Sequence, residues 1–201
     1  MFAIIEAAGW PIWPLILASV VAVAIIIERV YSLRTQEVAP PSLLLETIKS
    51  YQERGVTPEL VTRLADGSAM GRVFATALKN AHNSREIMKE SIEEAGRAVT
   101  HDLDRFLTSL GTIASMAPLL GLLGTVIGMI EIFGAQTGGG TNPGQLAHGI
   151  SIALYNTAFG LIVAIPAMIF YRYFRNKVES LVVDMEQQAI KLVEIVHGER
   201  K

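Results

Sequence analysis

The sequence predicts an all-α integral membrane protein with three transmembrane helices, and the second and third of these continue as long helices into the cytoplasm. Of the 201 residues, 51% are hydrophobic and 18% are charged, a balance too apolar for a typical soluble domain. All 17 Lys and Arg fall within residues 29–105 and 172–201. A soluble protein spreads its basic residues over its whole surface. The two long stretches without them therefore indicate segments that lie in lipid.

The composition also excludes several classes of function. The chain has no cysteine, which rules out disulfides, thiolate metal sites and thiol nucleophiles. Its formal net charge of −2 gives no indication of a nucleic-acid partner. No metal-ligand cluster, phosphate-binding loop or nucleophile–base set is recognisable. We therefore expect a protein that is not an enzyme and has no catalytic residues, no metal and no cofactor.

The first predicted span covers residues 10–28, after a short stub of residues 1–9. It contains an uncharged apolar run close to the length that crosses the hydrocarbon core. Trp10 and Trp13 mark one interfacial end, and Arg29 follows the other. A cleaved signal peptide is the alternative, but it would carry its positive charge before the apolar run.

The second and third spans are predicted at residues 106–133 and 149–171, as a helical hairpin. The intervening residues 134–148 are rich in glycine and include Asn142 and Pro143, a composition typical of a loop. A buried helix pair of a soluble protein is the alternative, but the uncharged runs are too long for it.

The basic residues also predict the orientation. Arg29 follows the first span, Arg105 precedes the second and Arg172 follows the third, whereas residues 1–28 and 134–148 contain no Lys or Arg. Because Lys and Arg concentrate on the cytoplasmic side, the N-terminus and residues 134–148 are expected to be periplasmic. Residues 29–105 and the C-terminal helix 172–201 are expected to be cytoplasmic.

The cytoplasmic segments are predicted to be helical. Breaks are expected at residues 55–58 and 66–68, and Ser84 is a candidate N-cap. No strong breaker lies between Ser84 and the second span, which predicts one helix of more than 40 residues. The third span likewise continues through an amphipathic pattern that must pack on other helices. Two such helices predict a homo-oligomeric bundle.

Small residues lie at helical spacing in both hairpin spans and predict packing seams, because small side chains let helices approach closely in lipid. Two prolines are expected to kink the helices. The predicted seam of the second span contains Ala114, Gly121, Gly124, Thr125 and Gly128, and its proline is Pro118. The predicted seam of the third span contains Ala153, Thr157, Gly160, Ala164 and Ala167, and its proline is Pro166.

Few polar side chains interrupt these spans. A threonine hydroxyl can donate a hydrogen bond to a carbonyl of the preceding turn, so Thr125 and Thr157 can lie in the membrane at little cost in free energy. Asn156 needs a hydrogen-bond partner or water there. Glu131, the hairpin's sole carboxylate, is expected at the rim of the second span. His148, at the same level, is expected to be an interfacial side chain.

Two segments resemble the ExbB/TolQ/MotA family of proton-channel stator subunits, most closely its ExbB and TolQ branch. They are LLGLLGTVIGMIEIF, residues 119–133, and NTAFGLIVAIPAMIFYRYF, residues 156–174. The layout of one early span followed by a cytoplasmic insertion is similar as well. Residues 1–105 resemble the family in layout rather than in motif.

The resemblance implies a homopentameric ring in the bacterial inner membrane, with spans two and three lining a central pore and lipids at the subunit interfaces. Two copies of a single-span partner of the ExbD or TolR type would occupy the pore and carry the aspartate that binds protons. A TonB-like periplasmic protein would receive the force for outer-membrane import. Thr125 and Thr157 match the pore threonines, and Asn156 is predicted to join them in the proton path.

One position departs from the family pattern. Many ExbB and TolQ sequences carry a glutamate near the start of span three, and Ile152 stands in its place here. An isoleucine cannot bind a proton, so the resemblance implies that protonation falls on the partner's aspartate. A TolQ-like role in envelope maintenance, a non-conducting scaffold for a single-span partner, and Na⁺ instead of H⁺ remain open.

Overall fold

The computed structural model describes residues 9–135 and 143–198, and this part of the chain consists of helices joined by short connections, without a strand. Three helical stretches, within Ile12–Ser32, Arg85–Gly134 and Leu146–Val196, are long and apolar enough to cross a membrane, as predicted. The helices are α1 (Ile12–Ser32), α2 (Thr35–Val38), α3 (Leu43–Arg54), α4 (Pro58–Gly67), α5 (Ala69–Lys79), α6 (Arg85–Asp104), α7 (Leu107–Ala135) and α8 (Pro143–Val196).

The chain divides into two compact units. The first contains the described residues up to Glu28 together with those between Phe106 and Tyr173. The second contains residues 29–105 and the described residues from Phe174 onward. Arg172, near its C-terminal boundary, is the one Lys or Arg within the sequence ranges of the first unit, so the division closely follows the charge pattern.

An apolar core joins the three long helices of the first unit. Its core contains Leu15 of α1, Ala117 of α7, and Val163 and Ala164 of α8. The opposite face of α1 is exposed and apolar, with Trp10 at 62% exposure just before the helix and Leu17 and Val20 along it. An exposed apolar face of this kind is suited to contact with lipid.

The second unit is built around α5, which packs against α4 and α6. Met70, Phe74 and Leu78 of α5 are fully buried, and they share one side of the helix at i, i+4 and i+8. The unit therefore has an apolar core of its own.

Local capping explains where the helices of this unit begin. Thr57 Oγ1 accepts from the backbone N–H of Leu60, and Ser68 Oγ accepts from that of Gly71. The predicted breaks before Pro58 and Ser68 are thereby confirmed. Ser84 is the N-cap of α6, as expected. The backbone N–H of Glu86 and the Ser84 hydroxyl hold the pKa of Glu86 below its ordinary value.

The structure does not contain the uninterrupted helix expected from Ser84 into the second span. The chain leaves α6 at Asp104, passes through Arg105 in an extended conformation, and places Phe106 at a φ of 65° before α7 begins. A positive φ is rare for an aromatic residue. Neither Gly nor Pro marks this break, which is why the residue pattern gave no signal of it. By contrast, α8 runs unbroken from Pro143 to Val196, as predicted for the third span and its continuation.

Tertiary contacts stabilise the end of α6. The last carbonyls of a helix have no partner within it, and Arg29 Nη1 donates to the Leu103 carbonyl at 3.0 Å. Arg29 is buried. Arg175 of α8 lies 3.9 Å from the Asp104 carboxylate, in a half-exposed ion pair. The Leu103 carbonyl, close to the break, thus has a cationic donor from α1.

The predicted loop and stub fall mostly outside the described residues. Residues 1–8 and 136–142 are not described, and α8 begins at Pro143, several residues before the predicted start of the third span. Proline is well suited to the first turn of a helix because the N–H it lacks would have no partner there.

Candidate functional site

Helices α7 and α8 approach each other closely, through glycines. A Cβ atom on Gly160 would lie 2.5 Å from the carbonyl oxygen of Ala117, and one on Gly121 would lie 2.7 Å from that of Asn156. A Cβ on Gly128 would meet the Ala153 methyl at 3.1 Å. In these contacting pairs the residue numbers increase along α7 while they decrease along α8, so the two helices are antiparallel. We call this contact surface the glycine seam.

The glycine seam contains Gly121, Gly128 and Gly160 of the predicted packing positions, and further glycines extend it. Beyond the predicted positions, a Cβ on Gly111 would lie 3.0 Å from the Tyr171 ring, and one on Gly149 would lie 2.7 Å from Ile132. These two glycines are also small residues at helical spacing, a signal that the sequence pattern already contained. Pro118 and Pro166 both lie inside their helices.

Thr125 and Thr157 meet within the glycine seam, beside Gly121. Their Oγ1 atoms are 2.5 Å apart, and Thr157 Oγ1 lies 3.2 Å from the carbonyl oxygen of Gly121. Thr125 Oγ1 lies 3.2 Å from that same oxygen and 3.1 Å from the carbonyl oxygen of Ala153. We call these two hydroxyls and two carbonyls the hydroxyl cluster.

The hydroxyl cluster can both donate and accept hydrogen bonds. Each hydroxyl has one hydrogen and two lone pairs, so the short contacts are alternative donations among which the hydrogens can switch. A pair of hydroxyls with this freedom can hydrate or relay a cation. Sequence reasoning selected both threonines, and the structure brings them into direct contact.

Asn156 lies one residue before Thr157 and is 2% exposed. A Cβ on Gly124 would lie 2.8 Å from Asn156 Cβ and 3.0 Å from its Nδ2, so the missing side chain of Gly124 makes room for the amide. A polar side chain buried within an apolar segment is expensive. The structure therefore places the third predicted polar residue beside the hydroxyl cluster.

A cavity of about 340 Å³ lies between α7, α8 and residues 9–11. Residues of both long helices line it, among them Gly124, Gly128 and Glu131 of α7 and Gly149, Ile152, Ala153 and Asn156 of α8. The predicted rim position of Glu131 is consistent with its exposure. Its place in the wall of a cavity shared with Asn156 was missed, because no pattern in the sequence aligns the two helices at this level. Ile152 lies in the same wall.

Other predicted positions fall outside this arrangement. His148 is in the first turns of α8 and is exposed. Among residues 9–135 and 143–198, no group of three or more His, Cys, Asp or Glu side chains is placed to hold a metal ion. The chemistry that this region supports is therefore hydrogen bonding and hydration, with one carboxylate.

The sequence of residues 65–187 matches the model of the MotA/TolQ/ExbB proton channel family. This match covers more than half of the chain, including α7 and the hydroxyl cluster, so the chain belongs to this family. The predicted membership is thereby confirmed.

Curated relatives carry ExbB names. Biopolymer transport protein ExbB-like 3 of Synechocystis is 34% identical over 168 residues, which cover 81% of this chain and 79% of that protein. Biopolymer transport protein ExbB of Aquifex aeolicus is 30% identical over 164 residues, covering 78% of this chain and 96% of the relative. Biopolymer transport protein exbB1 of Vibrio cholerae is 29% identical over 170 residues, covering 80% and 72%. The likeness to these transport-associated proteins extends over most of the chain.

Proposed function

We propose that this chain is the ring subunit of a proton-driven stator in a bacterial inner membrane. In this proposal five copies surround two copies of an ExbD-like or TolR-like single-span partner, and proton passage drives motion that acts on a TonB-like protein during outer-membrane import. Family membership and the ExbB-named relatives support this role. The N-terminus would be periplasmic and the C-terminus cytoplasmic, because the basic residues cluster beside the spans on one side.

The observation that carries the proposal is the hydroxyl cluster. The Oγ1 atoms of Thr125 and Thr157 are 2.5 Å apart within mostly apolar stretches of α7 and α8, and Asn156 is the residue before Thr157. A packing surface alone would be served by Gly and Ala, and a pair of touching hydroxyls adds a hydrogen-bonded route. Thr125, Thr157 and Asn156 would hydrate the proton path, while the partner's aspartate would bind and release the proton.

Proton flux tests this role directly. The chain and its partner would be reconstituted in liposomes, and proton uptake would be followed under an imposed potential. Thr157→Val has almost the same shape but no hydroxyl, so we expect flux to fall. Thr157→Ser keeps the hydroxyl and should retain most of the flux. Equal flux in Thr157→Val and in the unmodified complex would remove Thr157 from the path.

A non-conducting scaffold is the second candidate, and the apolar Ile152 in the cavity wall favours it. In that case the ring would stabilise its single-span partner without passing protons. A substitution of the partner's pore aspartate distinguishes the two candidate functions. Replacing it by Asn should abolish function in a stator and leave function intact in a scaffold.

A further inference from the structure

We propose that Glu131 is the proton-collecting carboxylate of this subunit, and that the cavity it lines leads the proton to Asn156 and the hydroxyl cluster. The proposal rests on the proton-path function above and adds to that path a carboxylate of the ring subunit itself. The carboxylate takes a proton from the aqueous side and releases it to water in the cavity. No other bond is made or broken in this step.

The cavity reaches from the surface into the interior of the first unit. Glu131 at one end is exposed, whereas Asn156 at the other end is buried. The cavity volume of about 340 Å³ is enough for several water molecules. A polar side chain at each end provides the hydrogen-bond partners that such water needs. The cavity therefore provides a hydrated way in from the exposed carboxylate.

The deep end of the cavity adjoins the hydroxyl cluster. Ala153 lines the cavity, and its carbonyl oxygen accepts from Thr125 Oγ1 at 3.1 Å. Glu131 and Thr125 are six residues apart on α7, which corresponds to about 9 Å along the helix axis. In this proposal, water in the cavity connects the carboxylate to Asn156 and to the two hydroxyls.

The electrostatics favour a cation in this cavity. Glu131 is the sole Asp or Glu in residues 106–171, and that stretch contains no Lys or Arg. Two other titratable side chains adjoin cavity residues along α8: His148 precedes Gly149 and Tyr155 precedes Asn156, and both are exposed. Residues 9–11, which close the cavity from the side of α1, are not titratable. An opening with a single negative charge and apolar walls concentrates cations near its entrance.

Glu131→Gln tests the proposal in the reconstituted complex of this chain with its partner. Glutamine has the shape of the carboxylate but cannot take up the proton. We expect proton flux to fall about tenfold. An opening of one charge sign raises the local concentration of oppositely charged ions by about 10-fold to 1,000-fold, and loss of the charge removes at least the low end of that gain. Glu131→Asp keeps the charge and should retain most of the flux. Unchanged thermal stability and oligomer mass would show that the variants are folded.

A second variant separates the carboxylate's chemistry from a structural role. Ile152 lies in the same cavity wall, so Ile152→Glu in the Glu131→Gln background returns a carboxylate to the cavity from the other helix. We expect this double variant to regain flux. A structural role of Glu131 would predict no recovery.

The outcomes are distinguishable from failure of the proton-path function. If the unmodified complex shows no proton flux, the function fails. If the unmodified complex and Glu131→Gln conduct protons equally, Glu131 is not the collecting carboxylate and only the present proposal is overturned. If the unmodified complex conducts sodium and Glu131→Gln reduces that sodium flux, the assignment of H⁺ as the transported ion is overturned.

Discussion

At the residue scale, Arg29 connects the sequence pattern to the packing of the second unit. Sequence reasoning used this arginine only as a mark of the cytoplasmic flank. The structure buries it, with 6% exposure, and directs its guanidinium to the Leu103 carbonyl. A buried cation is tolerated when it is hydrogen-bonded. Arg29 therefore has a structural role that charge counting alone cannot reveal.

Arg29→Met should destabilise the protein by about 1–3 kcal/mol, because the Leu103 carbonyl loses its donor while the apolar stem is kept. Thermal unfolding in detergent would measure the change. Arg72→Met is the matched control. Its ion pair with Asp102 is short, at 2.7 Å, but about half exposed, and such pairs contribute at most about 1 kcal/mol. Equal losses in the two variants would contradict the role given to Arg29.

Thr125, Asn156 and Thr157 show how far a sequence can identify the residues of a site. Thr125, Asn156 and Thr157 were selected because polar side chains are costly in apolar spans. Their selection required no coordinates. The short Thr125–Thr157 contact depends on the register between α7 and α8, which glycines at several levels set together.

At the element scale, the glycine seam sets the distance between α7 and α8. Gly160 faces the carbonyl oxygen of Ala117, a backbone atom that cannot move aside without moving its helix. A small side chain at this position is therefore a requirement of the packing and not a matter of helix propensity.

Gly160→Ala should destabilise the hairpin by about 1–3 kcal/mol, because its methyl group overpacks the glycine seam. Gly96→Ala is the matched control, since Gly96 is also inside a helix but a Cβ there would meet nothing within 4 Å. Alanine at that position should be neutral or stabilise by about 0.5–1 kcal/mol. Melting temperatures of the two variants would check both expectations. A Gly160→Ala protein as stable as the unmodified chain would show that the helices can separate at no cost.

The break between α6 and α7 is the clearest difference from the sequence-based expectation. The apolar periodicity continues through it, and the residues at the break are Arg105 and Phe106 rather than Gly or Pro. Local propensity therefore favours a continuous helix. Arg29 is distant in sequence but donates to the end of α6, and contacts of this kind override local preference.

At the scale of the whole molecule, the first unit exposes apolar side chains on all three of its long helices. Leu17 of α1, Leu119 and Ile130 of α7, and Ile162 of α8 are each more than half exposed. Surfaces of this kind lie against lipid or against other subunits. This is the behaviour expected of a subunit within a larger membrane assembly.

The assembly gives a prediction at this scale. The chain purified with its single-span partner should have one mass, that of five copies with two copies of the partner as the family resemblance implies. Native mass spectrometry in detergent would measure it. A monomer, or a mixture of sizes unaffected by the partner, would contradict the ring.

The sequence by itself determined the helical class and the three apolar spans, because lipid excludes charge and requires backbone hydrogen bonds to be satisfied within each helix. It also identified the polar and small residues of the hairpin, since both stand out in an apolar segment. The tertiary structure alone decided which of them meet. The hydroxyl cluster, the cavity shared by Glu131 and Asn156, and the break at Phe106 each depend on contacts between helices far apart in the chain. Such contacts are set by packing shape and helix register, which no local pattern encodes.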